Sequence, residues 1–226
     1  MAFETLAAVL SIVVIDLTIS GDNALVIGMA AHQLPARQRR LAILLGSGGA
    51  VGLRVLFAAA AALLLSVPLL QAMGGLLLAW IAFKLLVQED GESSHSHRSA
   101  VSLMDAVRII ILADVVMSLD NILAVAGASH GDIRLLILGL GLSIPIVMFG
   151  SSLVATLINR FRWLVYLGAG VLAWTSAQMI LEDRIIGPYF PHSWMLEVGL
   201  SVLVGAAILG ASSGWRRIQS GRKAAA

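Results

Sequence analysis

Long apolar runs, each about the length that crosses a bilayer, alternate along this chain with short polar breaks. Seven runs qualify, at about 4–31, 41–66, 68–87, 102–129, 132–158, 163–182 and 194–214. They predict helices 1 to 7 of an all-α membrane protein. The breaks carry turn and charge signals: His32 to Arg40 holds a proline and three arginines, and Ser66-Val67-Pro68 makes a tight turn. Gly131-Asp132, Asn159 to Arg162 and Glu182 to Pro191 divide the later helices. Gln88 to Ser99 is polar throughout and reads as the flexible linker, and Trp215 to Ala226 reads as a basic tail. The first run has no basic start (its first charge is Glu4) and is too long for a signal's apolar region, so it is expected to stay as helix 1.

Lys and Arg are unevenly shared among the breaks. With the N-terminus outside, the internal segments hold Arg37, Arg39, Arg40, Arg98, Arg160, Arg162, Arg216, Arg217, Arg222 and Lys223. The external ones hold Arg134 and Arg184. The positive-inside rule therefore predicts N-out, C-in, which needs an odd number of spans.

The pattern also repeats. Asp16-Leu-Thr-Ile-Ser20-Gly-Asp22-Asn23 in helix 1 aligns with Asp114-Val-Val-Met-Ser118-Leu-Asp120-Asn121 in helix 4, as D-x-x-x-S-x-D-N. Gly46 and Gly48 in helix 2 match Gly139 and Gly141 in helix 5. Gly74 and Ala79-Trp80 in helix 3 match Gly168 and Ala173-Trp174 in helix 6. A three-span unit flips between copies, so the expected architecture is two inverted three-helix repeats, residues 1–92 and 93–189. The seventh helix and basic cytoplasmic tail, 190–226, stand outside the repeat.

Composition agrees with a membrane assignment. The chain has 226 residues, 59% hydrophobic and 12% charged, against about 25% charged in soluble domains. A net charge of +2 gives no reason to expect nucleic acid as a partner; the bilayer is the expected surrounding, that of a bacterial inner membrane. The absence of cysteine excludes disulfides, thiolate metal sites and cysteine nucleophiles.

Aspartates at mid-membrane depth cost several kcal/mol unless partnered or functional. At about 100° per residue, Asp16, Ser20 and Asn23 share one face of helix 1, as Asp114, Ser118 and Asn121 do on helix 4. Asp22 and Asp120 point off that face in a regular helix. Gly21 would let helix 1 unwind and bring Asp22 inward, whereas helix 4 has Leu119 there. Carboxylate, amide and hydroxyl oxygens together suit a hard divalent cation such as Mg²⁺, Ca²⁺ or Mn²⁺. Met117 is a candidate soft ligand favouring Mn²⁺, with interhelical packing as its ordinary alternative. An interhelical hydrogen-bond network is the ordinary alternative for the aspartates.

Arg54, in mid-helix 2, is a candidate counter-ion to these carboxylates; snorkelling is the other expectation. Gly46, Gly48, Gly49 and Gly52 make a smooth strip expected to pack closely, and Pro145 in helix 5 marks a kink site. Lys84 and Arg108 read as interfacial anchors. His95 and His97 in the linker are candidate metal collectors or plain solvated residues, and Glu89, Asp90 and Glu92 are expected to attract cations there.

These motifs resemble a known family. The paired D-x-x-x-S-x-D-N motifs in helices 1 and 4 of a seven-helix chain are similar to those of the TerC family of membrane proteins, and the seven-span form resembles its YjbE-like branch. The resemblance runs from Phe3 to Trp215. It implies export of a divalent metal, Mn²⁺ foremost, with Asp16, Asp22, Asn23, Asp114, Asp120 and Asn121 forming the ion site. No cofactor beyond the transported ion is expected, and the oligomeric state is open.

The expected mechanism is alternating access around a fixed central site, with protons replacing the metal on the carboxylates. A non-transporting metal sensor or assembly factor is a second reading. An intramembrane aspartyl protease is a third, weakened because the Y-D and G-x-G-D sequences it needs are absent. A transporter, not an enzyme, is the leading expectation.

Overall fold

A computed structural model describes residues 9–14, 16, 21–60, 67–91, 102–128, 133–190 and 193–224. Among the described residues the chain is helical, with no strand. Residues 9–14 and 16 are helical, and α1 follows at Gly21–Ala31. Next come α2 (Ala36–Ala59), α3 (Leu70–Gly91), α4 (Leu103–Ala128), α5 (Ile133–Arg160), α6 (Trp163–Leu181) and α7 (Trp194–Ala224), with a short 3₁₀ turn at Gly187–Tyr189. Five of them, α2, α3, α5, α6 and α7, are long and apolar enough to cross a membrane, and Asp22–Ala31 is a shorter apolar helix. Phe149, Trp163, Val202 and Leu203 point outward, as side chains bathed by lipid do. The protein is a multi-pass integral membrane protein.

Several helices outrun their apolar stretches. α2 starts at Ala36, so Arg37, Arg39 and Arg40 lie in its first turns and not in a loop. Pro35, at φ −54° and ψ 150°, sets the extended entry, and arginine is a good helix former. α3 continues through Gln88 and Glu89 to Gly91, and α7 runs on through the basic tail to Ala224. The 66–68 turn is present from Val67, with Leu69 at φ 60° just before α3. α5 passes through Pro145 without interruption.

Packing crosses between the two halves of the chain. α3 lies on α6, α2 on α4 and α1 on α5; α2 also meets α5, and α1 meets α4. α3 reaches α4 as α1 reaches α6, and α7 covers α6 and α3 from outside. Glycines make the closest approaches. A Cβ on Gly46 would lie 2.6 Å from Cγ2 of Ile110, and one on Gly139 would strike Ile12. A Cβ on Gly75 would come within 2.6 Å of the Ser176 carbonyl oxygen, while Ser176 Oγ donates to the Gly75 carbonyl at 2.7 Å. The expected glycine strip is split: Gly46 and Gly49 face Ile110 and Ile111 on α4, whereas Gly48 and Gly52 face open space. Four glycines within seven residues cannot all share one helix face, so half of them are turned toward lipid.

Candidate functional site

Arg54 does not snorkel. It is buried in mid-α2 and joins the two aspartates that begin the repeated motif. Its Nη1 donates to Asp16 Oδ1, its Nη2 to Asp114 Oδ1 at 2.7 Å, and its Nε to Ser118 Oγ at 2.9 Å. The planar guanidinium has donors on three sides, so one side chain spans the first helical segment and α4 together. Asp16 and Asp114 are both buried. A buried charge persists when it is paired and hydrogen-bonded, and here each carboxylate has the same cation as partner.

Helical spacing supplies the rest of the shell. Ser118, one turn after Asp114, donates to the Asp114 carbonyl at 2.5 Å and lies 3.3 Å from Asp114 Oδ2. From α1, Asn23 Nδ2 donates to Asp114 Oδ1 at 3.0 Å. Asp22, in the first turn of α1, is half-buried, and its Oδ1 accepts the backbone N–H of Asn23 at 3.0 Å. Acid at a helix start is favoured by the exposed N–H groups there. The structure therefore gathers Asp16, Asn23, Asp114, Ser118 and Arg54. Gly21, where the unwinding was expected, is helical as the first residue of α1; Ser20 lies outside the described residues, as do the side chains of Asp120 and Asn121 and all of His95 and His97. Met117 is buried in the main hydrophobic cluster between helices.

Beside the ion pairs is a cavity of about 20 Å³ lined by Asp16, Ser47, Arg54, Asp114, Ser143 and Val147, among others. That is room for about one water-sized species. Two buried polar atoms at this site, Asn23 Oδ1 and Ser47 Oγ, have no hydrogen-bond partner among the described residues. Unpaired buried acceptors are rare and often mark a place for a water or an ion. Ser47 and Ser143 escaped the sequence reading, since a serine inside a small-residue strip carries no separate signal. Among the described residues, no group of three or more His, Asp or Glu side chains converges for a metal ion. Arg54 holds the space between the two carboxylates instead.

A second polar cluster closes the end of the bundle where the arginines gather. Glu89 is not part of a solvated linker attracting cations. It is buried on α3, with Oε2 2.7 Å from His32 Nε2 and Oε1 accepting from Arg162 Nε at 2.7 Å. Helix α3 simply continues past its apolar stretch and carries the carboxylate into the bundle. His32 was expected only as part of a break; it too is buried, just after α1. At the opposite end Asp183 accepts the N–H of Ala72 in the first turn of α3 at 3.1 Å and that of Ile185 at 2.9 Å. Burial raises its carboxyl, but the N–H groups of Ile185, Ala72, Ile186 and Gln71 outweigh this and hold it below the ordinary value.

The profile of the integral membrane protein TerC family matches residues 1–220. The chain is 39% identical to the membrane protein YjbE of Bacillus subtilis (strain 168), over 97% of this chain and 100% of that one. It is 24% identical to the membrane protein YkoY of the same organism, over 85% of this chain and 67% of that one. The inner membrane protein YgdQ of Escherichia coli (strain K12) is 24% identical over 76% of this chain and 79% of its own. No solved structure matches.

Proposed function

The chain belongs to the TerC family of integral membrane proteins, and from that premise we propose that it exports a divalent metal cation, Mn²⁺ foremost, by alternating access around Asp16 and Asp114. The observation that carries this reading is Arg54 held between those two buried carboxylates. Packing a guanidinium and two carboxylates inside a membrane bundle has a large desolvation cost, and a purely structural tie would be cheaper with apolar side chains. A site that exchanges cations can use such an arrangement: the arginine offsets one of the two carboxylate charges when the metal is away. Metal entry then requires Arg54 to withdraw, so α2 moves relative to the segments carrying Asp16 and Asp114. Asn23 Oδ1 and Ser47 Oγ supply neutral oxygens beside the carboxylates, a donor set that suits Mn²⁺, Mg²⁺ or Ca²⁺.

Two inverted three-helix units, N-out and C-in across seven spans, form the moving parts of this reading. Exchanging α1, α2 and α3 for α4, α5 and α6 carries the principal interhelical contacts into one another, which supports the repeat. An aspartyl protease shares one proton between two facing carboxylates; a guanidinium between Asp16 and Asp114 disfavours that chemistry.

The test is flux into proteoliposomes loaded with a metal-sensitive dye, for wild type, Asp16→Asn and Asp114→Asn, with Ca²⁺ and Mg²⁺ as comparison ions. Mn²⁺ flux lost in both variants supports the reading. Folded wild-type protein that moves none of the three ions sinks it and leaves a sensor or assembly role.

A further inference from the structure

The imidazole of His32 stands between two hydrogen-bond acceptors. Nδ1 is 2.6 Å from the Met29 carbonyl oxygen, and Nε2 is 2.7 Å from Glu89 Oε2. A carbonyl oxygen only accepts, so Nδ1 carries a hydrogen. Arg162 donates its Nε–H to the other Glu89 oxygen at 2.7 Å and its Nη2 to the Glu89 carbonyl at 3.2 Å, which favours the ionised carboxylate. An ionised carboxylate also only accepts, so Nε2 carries a hydrogen as well. Both ring nitrogens of His32 thus face acceptors, the arrangement in which an imidazolium would have a partner for each N–H. The Met29 carbonyl belongs to the last turn of α1, where a cation is favoured.

The charged groups facing His32 among the described residues are Glu89 on α3 and, behind it, Arg162 between α5 and α6; Asn159 on α5 adds a neutral amide donating to the His32 carbonyl at 3.3 Å. Four elements, two from each half of the chain, therefore meet around the His32–Glu89 contact. If the Nε2 proton leaves for water, a nitrogen lone pair faces carboxylate lone pairs at 2.7 Å and the contact becomes repulsive. Histidine is the side chain suited to make that change near neutral pH.

The geometry points to a proton-binding latch: His32 and Glu89 hold one exchangeable proton at the arginine-rich end of the bundle, and its loss parts α1 from α3 and opens the Asp16–Asp114 cavity to that side. The use of the latch in a transport cycle rests on the function proposed above; the proton site itself does not.

The chain has no cysteine, so a single Ser47→Cys reports on the cavity. A membrane-impermeant maleimide is applied to each face of sealed vesicles from about pH 6 to about pH 9, spanning the histidine range. Each rate is divided by that of the same cysteine in unfolded protein at the same pH. Labelling from the arginine-rich face is expected to rise several-fold with pH. Adding His32→Gln, whose amide donates to Glu89 but does not titrate, makes the profile flat; Glu89→Gln, a second route to the same end, flattens it too. A flat profile without these changes, an equal rise in both variants, or a rise from the other face alone overturns the latch. Labelling needs no transport, so pH-dependent labelling without Mn²⁺ flux sinks the exporter reading alone, and flux with flat labelling sinks the latch alone.

Discussion

Ile12 and Ile110 hold matching places in the two halves of the chain. Each precedes a buried aspartate, Asp16 or Asp114, by one helical turn, and each is met by a glycine from the second helix of the opposite half. Gly139 lies against Ile12 and Gly46 against Ile110. The glycines bring the neighbouring backbone close to the segments that carry the carboxylates, so packing sets where the charged groups stand.

Gly46→Ala and Gly139→Ala should each overpack this contact and cost about 1–3 kcal/mol. Gly48→Ala and Gly52→Ala, in open space, should be neutral or gain up to about 1 kcal/mol from helix propensity. Thermal melting of the four purified variants checks both halves of this statement.

Arg54→Met should strand two buried carboxylates and cost about 3–5 kcal/mol in the presence of a chelator. Mn²⁺ should then restore more melting temperature to this variant than it adds to the wild type. Arg54→Lys keeps the charge but lacks the fork that reaches Asp16, Asp114 and Ser118, and should fall between the two. Melting curves with and without Mn²⁺ decide it.

Ser47→Ala removes a buried hydroxyl with no partner among the described residues, so stability should rise by about 1 kcal/mol. If Ser47 Oγ serves the ion, the same variant should need several-fold more Mn²⁺ for half-maximal flux. Melting and flux on one preparation separate the effects.

Asp183 makes a prediction about acid. Its folded carboxyl lies below the ordinary value of 3.8, so its contribution is complete above that pH and is lost as pH falls through the lowered value. Asp183→Asn should melt earlier at neutral pH and show less further loss on acidification than the wild type. A pH series of melting temperatures is the check.

The parts legible in the sequence were those where one residue conflicts with its surroundings. Asp16, Asp114 and Arg54 stand out because charge in an apolar run demands a partner, and the matched motifs told which charges belong together. Glu89 was hidden for the opposite reason: it opens a polar run, and a helix that outlasts its apolar stretch looks like a linker. Its partner His32 is 57 residues away, with nothing local to join them. Yet the register holds a trace of it. Glu89 follows Gly74 by the same fifteen residues that separate Asp183 from Gly168. Both acids tie down the start of the opposite third helix, Asp183 at Ala72 on α3 and Glu89 at Arg162 before α6.

The crosswise packing of α1 on α5, α2 on α4 and α3 on α6 bears on how the protein is made. The first three helices leave the ribosome before their main partners exist, and among the described residues they have little contact with one another. They must wait in the bilayer as loosely associated rods, with Asp16 and Arg54 already inserted, until the second half arrives to enclose them. A gene cut between α3 and α4 would then yield two fragments, each unable to hold its shape alone, that assemble with each other when made in the same cell.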